Sequence, residues 1–402
     1  MEELEEFRAR AGQWMAANMP PAPPRMHESE TEESWARSRE LQRMIFDAGF
    51  AGLTVPTMYG GQGLTVEHQR VFNELTARYE MPLLLNVPNL TIMVPTLLDF
   101  GTEEQKRRHI PPMLRGDEVW VQFLSEPSGG SDLASARTRA TRDGDVFRID
   151  GTKVWSSSAF AADHAMILAR TNWDVPKHAG LTMFLIALDQ PTITIDRIRQ
   201  ADGLARFCQE FFTDLLVPED DILGEENGGW RVASALLSHE REAVGGSSPY
   251  MSGSRALMEK SSELSELVEL ASGPSALSDA RVADLVGEAI VLEEVQRHAT
   301  GRTSARVERG ELPAPASAML KLIDATHQVR LTEIAVALAG EAVASDPKIH
   351  ARILMRQARC LAGGSNEIQR NIISERLLGM PRERAADRDV PFRELRTSPA
   401  AG

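Results

Sequence analysis

Hydrophobic and polar positions along the chain follow three rhythms. Up to about residue 118 the spacing is helical, with Ala36, Leu41, Met44, Ile45 and Ala48 recurring at helical intervals. A proline cluster (Pro20, Pro21, Pro23, Pro24) separates this helix from an acidic, amphipathic one at the N-terminus. Gly60, Gly61 and Gly63 break the chain before another helix over about 66–77, and helical patterning resumes near Glu103. From about 119 to 226 the period falls to two. Val119, Val121 and Phe123 alternate with Trp120 and Gln122. VFRIDGTKVW, HAMILAR, LTMFLIAL, TITIDRI and QEFFTDLLV follow, rich in β-branched and aromatic residues. Asp143-Gly144-Asp145 and Asp150-Gly151 read as turns between strands. From about 227 long helical patterns return: one starts near Trp230, and others cover roughly 281–308, 316–344 and 366–378. Gly379 and Pro381 stop the last.

These rhythms predict an α+β protein in three parts: an N-terminal helical domain (1–118), a middle antiparallel β domain (119–226) and a C-terminal helical bundle (227–402). The absence of βαβ alternation disfavours a Rossmann fold. A chain of 402 residues exceeds what one core usually holds. Its net charge of −14 argues against a nucleic-acid-binding face but leaves anionic ligands open. No apolar run is read as reaching the ~18–20 residues of a membrane span, and the N-terminus lacks a signal peptide's basic start. Two distant cysteines, Cys208 and Cys360, predict neither a disulfide framework nor a zinc site, which fits a cytoplasmic protein without metal.

The candidate chemistry begins at LSEPSGGSD, Leu124 to Asp132. A strand ends there in a loop whose glycines let backbone approach a ligand and whose N–H groups can cradle an anion. Alone, the same residues describe an ordinary surface turn. The segment resembles the flavin loop of the acyl-CoA dehydrogenase family. GTKVWSSSAFAADHAMILAR resembles that family's second flavin strand, RQADGLARFCQEFFTDLLVP its next segment, and AGGSNEIQRNIISERLLGMPRE (Ala362 to Glu383) its C-terminal helix. YGGQGLT and FGTEEQKRRHIPPMLRG resemble its N-terminal domain. The matches cover most of residues 45–383, in order. Phe123 departs from the small residue usual before the loop.

The resemblance implies FAD as cofactor and an acyl-CoA thioester as substrate. It places Leu124, Ser125 and Gln122 near the flavin ring, with Trp155 and Ser157 flanking it. Ser131 would meet a pyrophosphate, and Ser365 and Glu367 the AMP half of FAD. A Gly-Gly-Ser turn feeding a helix has its own rationale as an anion site, in free N–H groups and dipole. Trp155 without the resemblance reads equally as core packing.

Family members remove the α proton of the thioester with a carboxylate, and many place that Glu at the position of Gly363 here. A subgroup resembling isovaleryl-CoA dehydrogenase keeps it on an earlier helix, where LLSHEREAVGG matches and Glu240 falls at the base position. The pattern agrees: Trp230, Ala233, Leu236, Leu237, Ala243 and Val244 form an apolar stripe, and Glu240 lies on it. A carboxylate on such a face is either paired structurally or functional. Arg241 follows as a candidate for orienting it, and the Gly363 N–H is implied as a donor to the thioester oxygen.

Two family elements are missing. The Arg-x-x-Phe-Gly motif that reaches a neighbour's FAD is replaced by ELVELASGPSALSDA, and a Gln and Gly-Gly-x-Gly segment by EIAVALAGEAV. The expectation is an FAD-dependent acyl-CoA dehydrogenase that passes electrons to an electron-transfer flavoprotein, as a homo-oligomer or as one half of an α2β2 pair. The alternatives are an oxygen-using flavin enzyme on this fold and a non-catalytic partner subunit. A serine hydrolase is rejected for want of a G-x-S-x-G elbow.

Overall fold

Helices α1 (Leu4–Asn18), α2 (Glu32–Asp47), α3 (Val66–Thr76), α4 (Val94–Phe100) and α5 (Glu103–Arg115) precede the first strand. The structure, a computed structural model, describes residues 2–22, 30–244, 248–253, 264–272, 279–385 and 387–395. Pro23, Pro24, Gly245, Gly246 and the tail from residue 396 lie outside the described residues. Thr31 and Thr102 start α2 and α5 with reciprocal capping boxes, to Ser34 and Gln105, which satisfy amides no helix can pair internally. Phe7, Met15, Leu41, Ile45, Phe50 and Phe72 form the core these helices share.

One expectation fails in this region. Leu83–Phe100 forms a helical stretch of 18 residues, long and apolar enough by composition to cross a membrane. Pro88 and Pro95 hid it, because proline reads as a helix breaker. The stretch is mostly buried inside the protein, where Leu90, Ile92, Met93, Val94 and Leu97 join the central core. It is a buried stretch of helical turns, kinked at Val87, whose backbone is extended.

The sheet comprises β1 (Trp120–Phe123), β2 (Arg139–Asp143), β3 (Val146–Ser157), β4 (His164–Arg170), β5 (Leu181–Ala187), β6 (Ile193–Ile198), β7 (Phe207–Pro218) and β8 (Ile222–Leu223). Its order is β6-β7-β3-β2-β4-β5-β8, with β1 added on β4. Pairings are antiparallel except that β1 and the first residue of β2 run parallel to β4. Asp150-Gly151 is not a turn but an irregularity within β3, opposite β7. A side chain at Gly151 would come within 2.6–2.8 Å of Thr138, so close approach of backbone explains the glycine better than chain reversal.

Alternation along the strands sorts their residues between two cores. Trp120, Leu124, Met166, Leu168, Met183 and Leu185 face the helices. Val121, Phe123, Ala165, Ile167, Phe184 and Ile186 face the interior of the β layer. Gln122 falls on the helix-facing side with Trp120 and Leu124, because side chains two apart share a face.

The third part holds α6 (Gly229–Val244), α7 (residues 264–270), α8 (Ala280–Glu308), α9 (Ser317–Ala339), α10 (Pro347–Met355), α11 (Ala358–Leu361) and α12 (Asn366–Ile372). α9 ends five residues before the expected 344, where Gly340–Ala344 tightens into a 3₁₀ turn. α10 and α11 were not expected, and Ile373–Leu377 continues α12 as a wider turn.

Candidate active site

α6 is locked to the sheet at its first residue. A Cβ on Gly229 would meet the Thr182 backbone at 2.6–2.7 Å, so only glycine lets the helix start against β5. Val232, Ala233, Leu236 and Ala243 are buried along the face that follows. Each large aliphatic side chain buried this way contributes about 1.5–3 kcal/mol. Glu240, four residues after Leu236, is carried to the edge of that face and is half-buried. Its Oε2 accepts a 3.0 Å hydrogen bond from Gln122 Nε2. Burial pushes the carboxyl above its ordinary range, against the opposing pull of the Gln122 bond and the charges of Arg241 and Lys321. The Oε1 of Gln122 is buried without a hydrogen-bond partner among the described residues.

Gly363 closes the other side of the carboxylate. It sits at φ +66°, in the left-handed region, and Gly364 follows at φ +85°. A Cβ at Gly363 would lie 3.4 Å from Glu240 Oε1 and 3.3 Å from Lys321 Cε. The Glu240 carboxylate thus reaches the space a side chain at 363 would enter. Buried Gln369 donates from Nε2 to the carbonyls of Gly363 (3.0 Å) and Gly364 (3.1 Å) and fixes the turn. A Cβ on Gly364 would strike that same Nε2 at 2.7 Å. Ser365 is buried and caps α12 by accepting from the Ile368 N–H at 3.4 Å.

The loop after β1 is held from beneath. Lys153 is fully buried and donates to the Leu124 carbonyl and to Glu126, both at 2.9 Å. Glu126 also accepts from the Arg137 N–H at 2.7 Å and the Thr138 N–H at 2.8 Å. Burial pushes its carboxyl up, but the Lys153 charge and these bonds outweigh it and hold it below the usual range. The Val154 N–H donates to the Ser125 carbonyl at 3.0 Å, tying the loop to β3. Trp155 follows at φ +67°, 58% exposed, with its ring edge against Phe207.

The expected residues therefore fall into two sets. Gln122, Glu240 and Gly363 converge, and Leu124, Ser125 and Trp155 lie together at the loop on β3. Ser131, Ser157 and Glu367 are exposed, the last 3.7 Å from Arg370. Arg241 is half-buried, and its Nε has no hydrogen-bond partner among the described residues; the bond that orients Glu240 comes from Gln122. Sequence reasoning missed Lys321 and the Lys153–Glu126 pair. Lys321 is 3% exposed, donates to the Arg359 carbonyl, and has its ammonium pushed below the ordinary range by burial. Its helical spacing from buried Ser317 and Ala325, four residues either way, was the available signal. For Lys153 the signal was a lysine at the same alternate positions of β3 as buried Phe147 and Ile149; in the fold it pairs in register with Glu210.

Comparison with known proteins follows the same three parts. Models for the acyl-CoA dehydrogenase N-terminal, middle and C-terminal domains match residues 1–117, 122–215 and 227–378. The chain belongs to the acyl-CoA dehydrogenase family. Acyl-CoA dehydrogenase IpdE1 of Mycobacterium tuberculosis (strain ATCC 25618 / H37Rv) is 36% identical over 406 residues, covering 95% of this chain and 99% of that protein. Mitochondrial isovaleryl-CoA dehydrogenase of Pongo abelii is 27% identical over 249 residues, covering 61% of this chain and 58% of that protein. The solved Tcur3481-Tcur3483 steroid ACAD superposes with a TM-score of 0.75 at 26% identity, covering 95% of this chain and 99% of that one. As an acyl-CoA dehydrogenase the protein is a flavoprotein oxidoreductase acting on CH–CH bonds, and its cofactor is FAD. The residues present fit that group: an exposed tryptophan beside a pinned loop, an unpartnered amide oxygen on Gln122, and a Gly-Gly-Ser turn opening a helix.

Proposed function

We propose that this chain catalyses α,β-dehydrogenation of an acyl-CoA thioester with Glu240 as the base. The observation that carries the reading is the Glu240 carboxylate itself, raised by burial, held by one amide and lying against the Gly363 turn. A carboxylate whose proton affinity is raised by burial takes a proton more readily than a free one. Gln122 holds one carboxylate oxygen, leaving the other to face the α carbon. The Gly363 N–H, presented by a turn that Gln369 fixes, is the proposed donor to the thioester oxygen as charge develops there. Bound FAD supplies the acceptor for the β-hydride. Leu124, Ser125, Trp155 and Ser157 would hold its ring, and Ser131, Ser365 and Glu367 its phosphate and AMP ends. The Leu124 carbonyl is engaged by Lys153, so its flavin contact falls to the N–H. Arg241 contributes charge near the base. An electron-transfer flavoprotein is the proposed electron acceptor.

A bulky acyl group is the proposed substrate, supported by a base on the earlier helix and by similarity to a steroid enzyme. The proposed assembly is heteromeric, because residues 266–280 lack the arginine and phenylalanine of the cross-subunit FAD motif. The test is reduction of bound flavin by an acyl-CoA panel, read by bleaching near 450 nm, with the chain alone and with a paralogous partner. Bleaching that survives Glu240→Gln would sink the base assignment. A colourless chain that a partner converts to flavoprotein supports the pair, and stoichiometric flavin in the chain alone overturns it.

A further inference from the structure

At the other end of β1 from Gln122, three side chains from separate elements meet around a cavity of about 50 Å³. His109 comes from α5, Glu118 from the residues before β1, and His164 from the start of β4. Each offers one ligand-type atom, and these atoms lie within 4.8 Å of one another. Asp221 and Arg108 line the same cavity. Glu118 Oε2 lies 3.0 Å from His109 Nδ1 and accepts from Trp120 Nε1 at 2.9 Å. Trp120 stacks on His164 with ring centroids 4.7 Å apart, which restrains the imidazole. His164 Nδ1 is buried with no hydrogen-bond partner among the described residues.

We propose that His109, Glu118 and His164 form a structural site for a divalent transition cation of zinc type that clamps the N-terminal helices to the β sheet. Two imidazoles and a carboxylate suit such an ion with a water as fourth ligand, and four ligands in tetrahedral array stand about 3.4 Å apart when each is about 2.1 Å from it. The three ligand atoms, now within 4.8 Å of one another, must close to about that spacing around the ion. Asp221 supplies a second negative charge against the dication, offset in part by Arg108. The Trp120 N–H on Glu118 acts as the outer donor that orients a ligating carboxylate. A hydrogen-bonded trio without an ion satisfies Glu118 but leaves the buried His164 nitrogen orphaned, an arrangement native proteins mostly avoid. The site escapes sequence spacing rules because its members lie nine and forty-six residues apart, on a helix, a loop and a strand.

The test uses the full-length protein, stripped with chelator, desalted and titrated with Zn²⁺ and with Co²⁺. About one equivalent binds, Co²⁺ shows the visible bands of tetrahedral nitrogen and oxygen coordination, and saturating Zn²⁺ raises the unfolding midpoint by a few degrees. His164→Gln and His109→Gln each lower affinity on the order of tenfold or more and abolish the thermal shift. Should either variant fail to fold, X-ray absorption of the zinc-loaded wild type decides, with imidazole scattering expected. Absence of stoichiometric binding, binding unchanged in a folded His164→Gln variant, or coordination without imidazole overturns the proposal.

Discussion

Glu126 and Glu240 are both withdrawn from solvent beside the cleft, and the chain around each treats the cost of desolvation differently. Glu126 receives three donors, two backbone amides and the Lys153 ammonium, and its carboxyl is held below the ordinary range. Glu240 receives one, the Gln122 amide, and its carboxyl is raised. Arg241 and Lys321 act on it only through charge at a distance. A fully donated carboxylate is a structural strut that no longer takes up protons near neutrality. An under-donated one, open to a cleft, is chemically available.

The largest expected effect breaks the under-donated member. Glu240→Gln keeps shape and the apolar packing of α6 but removes the proposed proton acceptor, and flavin reduction by acyl-CoA falls about 10²–10⁴-fold, the usual weight of a general base. Stopped-flow bleaching measures it. The same substitution leaves the unfolding midpoint near neutral pH unchanged or raised, because a buried, poorly donated carboxyl is a burden on the fold. A loss of stability there would place Glu240 with Glu126 as a strut. Lys153→Met breaks the fully donated member. It leaves Glu126 buried with its counter-charge gone and the Leu124 carbonyl without its donor, at an expected cost of about 3–5 kcal/mol. Denaturant unfolding checks the figure, and weaker flavin retention accompanies it because the loop loses its support.

The place of Glu240 on the apolar face of its helix was legible because it depends on one helix alone: the stripe of Ala233, Leu236 and Ala243 sets the face, and 3.6-residue spacing does the rest, whereas its proposed role as base came from the family resemblance. The strands were legible for the same reason, since period two is local. Lys321 was not. Its neighbours Gly363 and Glu240 belong to a turn and a helix far along the chain, and SAMLKLIDA reads as an ordinary helix with one lysine and one aspartate. The helix through Leu83–Phe100 was obscured by prolines that a well-packed environment tolerates. Asp150-Gly151 misled because the dipeptide favours a turn in isolation, whereas pairing with β7 on both sides makes it an irregularity within one strand. Local periodicity was readable; whatever depended on two elements meeting was not.

Gly363→Ala sharpens the comparison at smaller scale. The left-handed backbone at φ +66° adds roughly 1–2 kcal/mol for any residue with a Cβ. The new methyl would stand 3.4 Å from Glu240 Oε1 and 3.3 Å from Lys321 Cε, both movable side-chain ends that yield by a few tenths of an ångström. Displacing the proposed base that little lowers kcat/KM on the order of tenfold, well short of Glu240→Gln. Equal losses in the two variants would mean the turn itself, and not the carboxylate, carries the rate.

The smallest effect separates a raised carboxyl from a catalytic one. Glu210 on β7 is fully buried, accepts from Ser156 Oγ at 3.0 Å, and has its other oxygen without a hydrogen-bond partner among the described residues. Burial pushes its carboxyl up to about 7. Its folded value lies above the unfolded value, so the protonated form is favoured in the fold. The stability it lends is complete below the unfolded carboxyl's range and is lost as pH rises through about 7. The slope reaches at most about 1.4 kcal/mol per pH unit. Glu210→Gln, neutral at every pH, flattens that decline between about pH 4.5 and 7 while leaving flavin reduction intact. Unfolding midpoints across that range, taken with the bleaching rate, check both halves. A variant that loses activity as Glu240→Gln does would show that elevation by burial, and not contact with the Gly363 turn, marks the base.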